Sequence, residues 1–259
     1  MSIRFESVTK SFGSKTVLSD VSFQVSKGEI LFILGKSGMG KSVTLKHIVG
    51  LLKPNHGSVF VDQQNVTELS PNELAHTRRK CGMVFQHPAL LDSLSVYENV
   101  AFGLRTPQYL QSLSTPLTEE EIRSKVIEKL ALVHLGPEIM NHLPPEISYG
   151  MQKRVSLART LAPDPSYLLF DEPTTGLDPI TTNAVNDLIF DLSRKLKVTS
   201  VVVSHDMACA LKIADRILVL DQAKILAHET VAEIKRSKEP LIQAFLAETP
   251  CDDNDNQDK

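Results

Sequence analysis

Eight residues, Gly35-Lys36-Ser37-Gly38-Met39-Gly40-Lys41-Ser42, follow the apolar run Ile30-Leu31-Phe32-Ile33-Leu34 and precede a helical pattern from Val43 to about Leu52. A strand, a glycine loop and a helix in that order constrain the fold more than any other stretch of the chain. Glycines let backbone N–H groups converge on a phosphate chain, and the helix that follows aims its positive end at the same point. In such a loop Lys41 reaches the β- and γ-phosphates, and the Ser42 hydroxyl ligates Mg²⁺. The bare pattern also arises in ordinary glycine-rich turns, so the flanking strand and helix give it its chemical meaning.

A chain of 259 residues can bury a large α/β core, and domains of this class often form one unit at such a length. The expectation is one nucleotide-binding domain over residues 1–247 with a helical subdomain at about 95–160. Lys and Arg number 28 against 31 Asp and Glu, a net charge of −3, so no global field recruits nucleic acid or an anionic membrane. Cys81, Cys209 and Cys251 lack metal-like spacing and read as reduced thiols, most simply small apolar packing residues. The opening Met1-Ser2-Ile3-Arg4-Phe5 is not a signal segment, and no run approaches the ~18 apolar residues of a membrane span. A role at a membrane therefore requires another chain to cross it.

Ile3 and Phe5, then Val21, Phe23 and Val25, alternate with polar neighbours around the turn Phe12-Gly13-Ser14-Lys15. This predicts an antiparallel sheet ahead of the phosphate loop. Phe12 is placed to stack on a nucleotide base, although a Phe beside a Gly is more often a core plug. Short strands follow at Ser58-Val59-Phe60-Val61 and at Cys81-Gly82-Met83-Val84-Phe85, the second ending at Gln86. Thr118-Glu119-Glu120-Glu121 reads as a capping box, with Ile122, Val126, Ile127, Leu130 and Val133 on one apolar face. Pro144-Pro145 breaks the helical run before a further helix starts at Ser148.

Tyr167-Leu168-Leu169-Phe170 is a buried-type strand ending at Asp171-Glu172, and Thr199-Ser200-Val201-Val202-Val203 ends at Ser204-His205-Asp206. Parallel sheets collect strand ends on one ligand-binding edge, so these carboxylates and the imidazole are expected beside the phosphate loop. A terminal strand pair covers Arg216–Leu220 and Lys224–His228, with a helical tail to about Ala247. Residues 248–259, with four Asp between Cys251 and Lys259, read as an acidic, disordered tail.

Over residues 3–247 the chain resembles the ATP-binding subunits of ABC transporters. Phe12 matches that family's adenine-stacking aromatic, Gly35, Lys36, Ser37, Gly38, Met39, Gly40, Lys41 and Ser42 its Walker A loop, and Gln86 its Q-loop. Tyr167 to Glu172 match Walker B with the catalytic glutamate, Gly176-Leu177-Asp178 the D-loop, and His205 the switch histidine. The resemblance implies a P-loop NTPase core, carrying an antiparallel β subdomain and a helical subdomain, that hydrolyses ATP with Mg²⁺. Ser42, Gln86 and Asp171 are then the metal ligands and Glu172 the general base, with Gln86 sensing metal and water and His205 the γ-phosphate. Ile147-Ser148-Tyr149-Gly150-Met151 occupies the place of the signature Leu-Ser-Gly-Gly-Gln. Ser148 and Gly150 persist there, and in the family they bind the γ-phosphate held by a second subunit, which implies a homodimer.

Three further stretches, Ser42-Val43-Thr44-Leu45-Lys46, Leu91 to Phe102 and Gly176 to Thr181, are similar to the ATPases of Mla- and Mce-associated lipid transporters, as is Pro240 to Leu246. That narrower resemblance implies phospholipid cargo, a membrane-embedded permease docking near Leu90, Leu91 and Leu94, and a substrate-binding protein with a lipid-binding domain. It also implies a peripheral position on the cytoplasmic face of the inner membrane. The alternatives are the ATPase of another importer or of a lipoprotein-release system, and a soluble ABC ATPase. A P-loop kinase has no reason to carry the signature segment, Asp178 and His205 together, and a translation factor of this family normally has two such domains and a basic balance.

Overall fold

The computed structural model describes residues 2–110, 113 and 115–248. Strands β1 (Ile3–Phe12) and β2 (Lys15–Val25) form the expected hairpin, with Phe12 opposite Lys15. They join β4 (His56–Val61) and β5 (Gln64–Asn65) in an antiparallel sheet of order β2-β1-β4-β5. The second sheet contains β3 (Ile30–Leu34), β6 (Cys81–Val84), β7 (Tyr167–Asp171), β8 (Thr199–Ser204), β9 (Arg216–Asp221) and β10 (Lys224–Thr230). Its order is β10-β9-β3-β8-β7-β6, parallel from β9 to β6 with β10 as an antiparallel edge.

Strand β3 is buried at every residue and divides two cores by strict alternation. Ile30, Phe32 and Leu34 face the larger core, shared with the helices, while Leu31 and Ile33 face the core beneath the antiparallel sheet. Strand β7 divides in the same way, Leu168 and Phe170 against Tyr167 and Leu169. A strand covered on both faces needs no polar alternation, which is why these runs read as continuous apolar segments. Replacing the fully buried Phe32 by Ala would cost about 3–5 kcal/mol.

The helices are α1 (Lys41–Ile48), α2 (Pro71–Arg79), α3 (Val96–Ala101), α4 (Pro107–Leu110), α5 (Glu119–Leu132), α6 (Tyr149–Leu161), α7 (Pro179–Leu196), α8 (Met207–Ile213), α9 (Val231–Lys235) and α10 (Pro240–Ala247). Helix α1 stops at Ile48, not near Leu52, because Gly50 turns left-handed (φ 62°) and the Leu51 and Leu52 N–H groups fold back onto the Lys46 carbonyl. Thr118 caps α5 as a full capping box. The α5 face is narrower than its pattern suggested: Ile122, Val126 and Leu130 are buried, but Ile127 is 37% exposed. Strand β6 ends at Val84, one residue early, leaving Phe85 exposed beside Gln86.

The apolar face of α10, carrying Ile242, Phe245 and Leu246, packs on the larger core. Of the acidic tail, only Glu248, the C-cap of α10, lies within the described residues.

Candidate functional site

Register brings the site together. Leu34 pairs with Ser204 on β8, and Val203 pairs with Asp171 on β7. The C-terminal ends of β3, β7 and β8 are therefore level, and the phosphate loop, Asp171-Glu172 and His205 all emerge at one edge.

The loop between β3 and α1 has room only for glycine at two places. Gly40 has φ +91°, and a Cβ there would lie 2.7 Å from the Val17 carbonyl oxygen. At Gly35 a Cβ would lie 2.5 Å from the Leu220 oxygen. The loop is thus threaded between the two sheets, which fixes its backbone N–H groups against the N-terminus of α1.

Lys41, only 6% exposed, donates through Nζ to the Gly35 carbonyl at 2.7 Å and stands 3.3 Å from Glu172 Oε1. The Ser42 hydroxyl donates to Asp171 Oδ1 at 2.6 Å. Glu172 adopts φ +50°, and its N–H bonds to the Val203 carbonyl at 3.0 Å. The second oxygen of its carboxylate meets His205 Nδ1 at 2.8 Å and the Thr175 hydroxyl at 3.3 Å. One carboxylate thus lies between a lysine and an imidazole, beside a serine–aspartate pair.

Of these groups Lys41, Ser42, Glu172, Thr175 and His205 line one cavity of about 930 Å³, which Asp171 reaches only through its bond to Ser42. Phe12, Lys15 and Val17 wall one end, and Lys36, Ser37, Gly38, Gly40, Lys41 and Ser42 line the phosphate-loop side, with Gln86, Glu172, Thr175 and His205 completing the chemistry. Phe12 is 48% exposed and therefore is not a core plug; the Lys10 ammonium lies 5.2 Å from its ring centroid. Met39 faces a neighbouring pocket, and Gly35 contributes its carbonyl to Lys41.

The Ser42 and Asp171 oxygens, with the Gln86 amide on the same cavity, are hard donors in small number. That donor set suits Mg²⁺, which completes its octahedron with waters and substrate phosphate oxygens. Among the described residues no group of three or more His, Cys, Asp or Glu could hold a metal.

Ser148, Gly150 and Asp178 line none of this cavity. Ser148 is the N-cap of α6, accepting from the Met151 N–H at 3.3 Å. A Cβ on Gly150 would meet only the Thr181 methyl at an ordinary 3.6 Å, so the chain itself does not require glycine there. Asp178 caps α7; the Thr181 hydroxyl, 2.6 Å from Oδ2, and its N–H hold that carboxyl below the usual carboxylate range. Tyr149 is 39% exposed, with its hydroxyl 3.4 Å from His87 Nδ1 and its ring 5.6 Å from the Lys153 ammonium.

Thr175, the α10 residues Leu241, Ala244 and Phe245, and the C-cap Glu248 also line the cavity and were not identified from sequence. Thr175 carried a signal, lying three residues beyond Glu172 in the same turn. Nothing in the amphipathic pattern of α10 tells which strand ends it packs beside.

A family model described as ABC transporter matches residues 18–175. The "Probable ribonucleotide transport ATP-binding protein mkl" of Mycobacterium tuberculosis is 39% identical over 246 residues, 95% of this chain; the match spans just under two thirds, 66%, of that relative's length. The "Methionine import ATP-binding protein MetN" of Escherichia coli O157:H7 is 38% identical over 252 residues, 95% of this chain and 71% of that one. Among solved structures, the ATP-binding cassette MJ0796, a dimer in a post-hydrolysis state bound to ADP and Pi, has a TM-score of 0.78 at 33% identity, covering 88% of this chain and 98% of that one. Clostridium perfringens cbiO1, part of the ABC transporter complex cbiONQ, has a TM-score of 0.80 at 27% identity over 94% of each chain.

Proposed function

The chain belongs to the ABC transporter family, and we propose that it is a P-loop cassette that hydrolyses ATP with Mg²⁺ and that this hydrolysis drives phospholipid movement through a separate membrane-embedded permease. The observation that carries the chemistry is the Glu172 carboxylate, held 3.3 Å from Lys41 and 2.8 Å from His205.

In this reading Phe12 stacks on the base and the loop Gly35–Ser42 holds the phosphates. Ser42 and Asp171, with Gln86, hold the metal, which when bound neutralises developing charge on the phosphoryl oxygens. A γ-phosphate between Lys41 and His205 competes with Glu172 for both groups and frees the carboxylate to accept the proton of the attacking water. Ser148, Gly150 and Asp178 lie outside the cavity because they serve the phosphate of a second copy, and two copies close on two nucleotides. MJ0796 being dimeric supports that arrangement.

Among the described residues no helix is long and apolar enough to cross a membrane. In this reading the chain acts peripherally, on the cytoplasmic face of the inner membrane, through its permease. Phe85, Leu91 and Phe102, between 41% and 51% exposed, supply apolar surface for docking on the stretch from Phe85 to Phe102. Leu90 is half-buried and packs on the larger core, and Leu94 is also half-buried, so Leu91 takes the docking role of the three. Phospholipid cargo, and a substrate-binding partner with a lipid-binding domain, rest on the Mla- and Mce-like stretches, Leu91 to Phe102 above all. Import of a small polar solute is the second reading, favoured by the likeness to MetN at 38% identity.

The test is recovery of partners from detergent-solubilised membranes using the Glu172→Gln chain with ATP. A multi-span permease with bound phospholipid is expected. A permease with a soluble solute-binding protein and no lipid would replace the lipid reading with the importer, and recovery of soluble proteins alone would overturn both.

A further inference from the structure

Lys153 lies on α6, one turn beyond Tyr149, and is only 8% exposed. A buried ammonium ordinarily finds a carboxylate. Lys153 instead donates to two backbone carbonyls, that of Pro173 at 2.7 Å and that of Thr175 at 3.3 Å. Burial alone pushes its pKa down, with no acidic neighbour to offset it. The Tyr149 ring stands over the same ammonium, 5.6 Å away.

The two carbonyls belong to the turn that presents Glu172. Glu172 is in the left-handed region at φ +50°, a conformation that costs of order 1–3 kcal/mol for a residue with a side chain and persists only when its surroundings fix it. On one side the Val203 carbonyl holds the Glu172 N–H. On the other, the Thr175 N–H returns to the Glu172 carbonyl at 3.3 Å and the Thr175 hydroxyl reaches its carboxylate. Lys153 is the side chain that pins this second half of the turn from outside.

We propose that Lys153 is a positioning residue for hydrolysis: from α6 it fixes the turn Glu172–Thr175 through the Pro173 and Thr175 carbonyls and so sets the direction of the Glu172 carboxylate. This rests on the reading of Glu172 as general base. Helix α6 begins at the Ser148 cap that the same reading turns toward the second copy's nucleotide. One rigid helix therefore joins the surface that meets the partner to the base of its own site, and displacement of α6 on closure moves the Glu172 turn with it.

The experiment measures ATP turnover of the full chain with Lys153→Met, which keeps an unbranched chain one atom shorter and removes the donor, and with Lys153→Arg, which restores it. Lys153→Met is expected to lower kcat by about 10–100-fold, the scale of a misplaced catalytic group. Affinity for a fluorescent ATP analogue should stay within about twofold and Lys153→Arg should recover most of kcat, since ground-state binding does not pass through Lys153. If Lys153→Met does not purify folded, Lys153→Leu, which likewise lacks the donor, replaces it in the same comparison.

Adding Lys153→Met to Glu172→Gln should slow the enzyme no further, since both act through one carboxylate. A double variant slower than Glu172→Gln by the full Lys153→Met factor would overturn the proposal. So would a fully active Lys153→Met beside an inactive Glu172→Gln, without touching the general-base reading. Wild-type turnover in Glu172→Gln would overturn that reading and this proposal together.

Discussion

The Ser42 hydroxyl lies 2.6 Å from Asp171 Oδ1, although 129 residues separate them. Parallel pairing of β3 with β8 and of β8 with β7 makes that contact, leaving two oxygens side by side beneath the phosphate loop. If they share a cation with the nucleotide, removing either should raise the Mg²⁺ needed for half-maximal turnover more than it changes the maximum. Ser42→Ala and Asp171→Asn are each expected to shift that midpoint by roughly 10- to 100-fold, one charge-assisted contact being worth about 1.5–3 kcal/mol. A Mg²⁺ titration of ATP hydrolysis checks it, and an unshifted midpoint in both variants would remove these residues from the metal.

Glu172→Gln preserves shape and removes the basic oxygen. Turnover should fall by about 100- to 10,000-fold, the range supplied by a positioned general base, while nucleotide binding persists because Lys41 and the loop amides are intact. With hydrolysis blocked, ATP should also shift the chain toward a dimer on size-exclusion chromatography. A monomer at saturating ATP would oppose the two-copy site.

The phosphate loop, Asp171-Glu172 and His205 were legible because each is a short polar break at the end of an apolar run, a pattern set by sheet chemistry alone. The direction of Tyr149 was not. It stands in the place of a glycine and stays 39% exposed, yet its hydroxyl meets His87 and its ring the Lys153 ammonium of the same chain. Likewise Lys153 reads in sequence as one more charge on a helix, and only the tertiary crossing of α6 with the Glu172 turn buries it. The end of α1 was misjudged because Leu51 and Leu52 extend the apolar pattern past Gly50, whose left-handed turn takes precedence.

Because the Tyr149 hydroxyl and ring meet His87 and Lys153 of the same chain, Tyr149→Gly should leave ATP turnover within about threefold of wild type, and its main effect should be on stability, by about 1 kcal/mol for glycine in a helix. Steady-state hydrolysis together with a denaturant midpoint separates the two effects. A large rise in turnover would show instead that the ring obstructs closure.

Leu91 is 41% exposed, whereas Leu90 packs on the larger core. Leu91→Asp is therefore expected to lower recovery of the permease from solubilised membranes while the free chain keeps its ATPase activity and melting temperature. Unchanged recovery would place the docking surface elsewhere.

His228 offers a test of stability rather than catalysis. Burial, with the nearby Arg216 charge, pushes its imidazole from the ordinary 6.5 down to about 4, and the Phe23 ring packs edge-on at 6.1 Å. Between those two values the unfolded chain binds more protons than the folded one, so stability falls as pH falls. The contribution is complete above about pH 6.5 and is lost as the pH drops through about 4. Replacing the ring by one that cannot ionise should flatten this slope: His228→Phe should lose fewer degrees of melting temperature than wild type on going from about pH 7 to about pH 5. Parallel losses in the two proteins would show that carboxylates, not this imidazole, govern the acid limb.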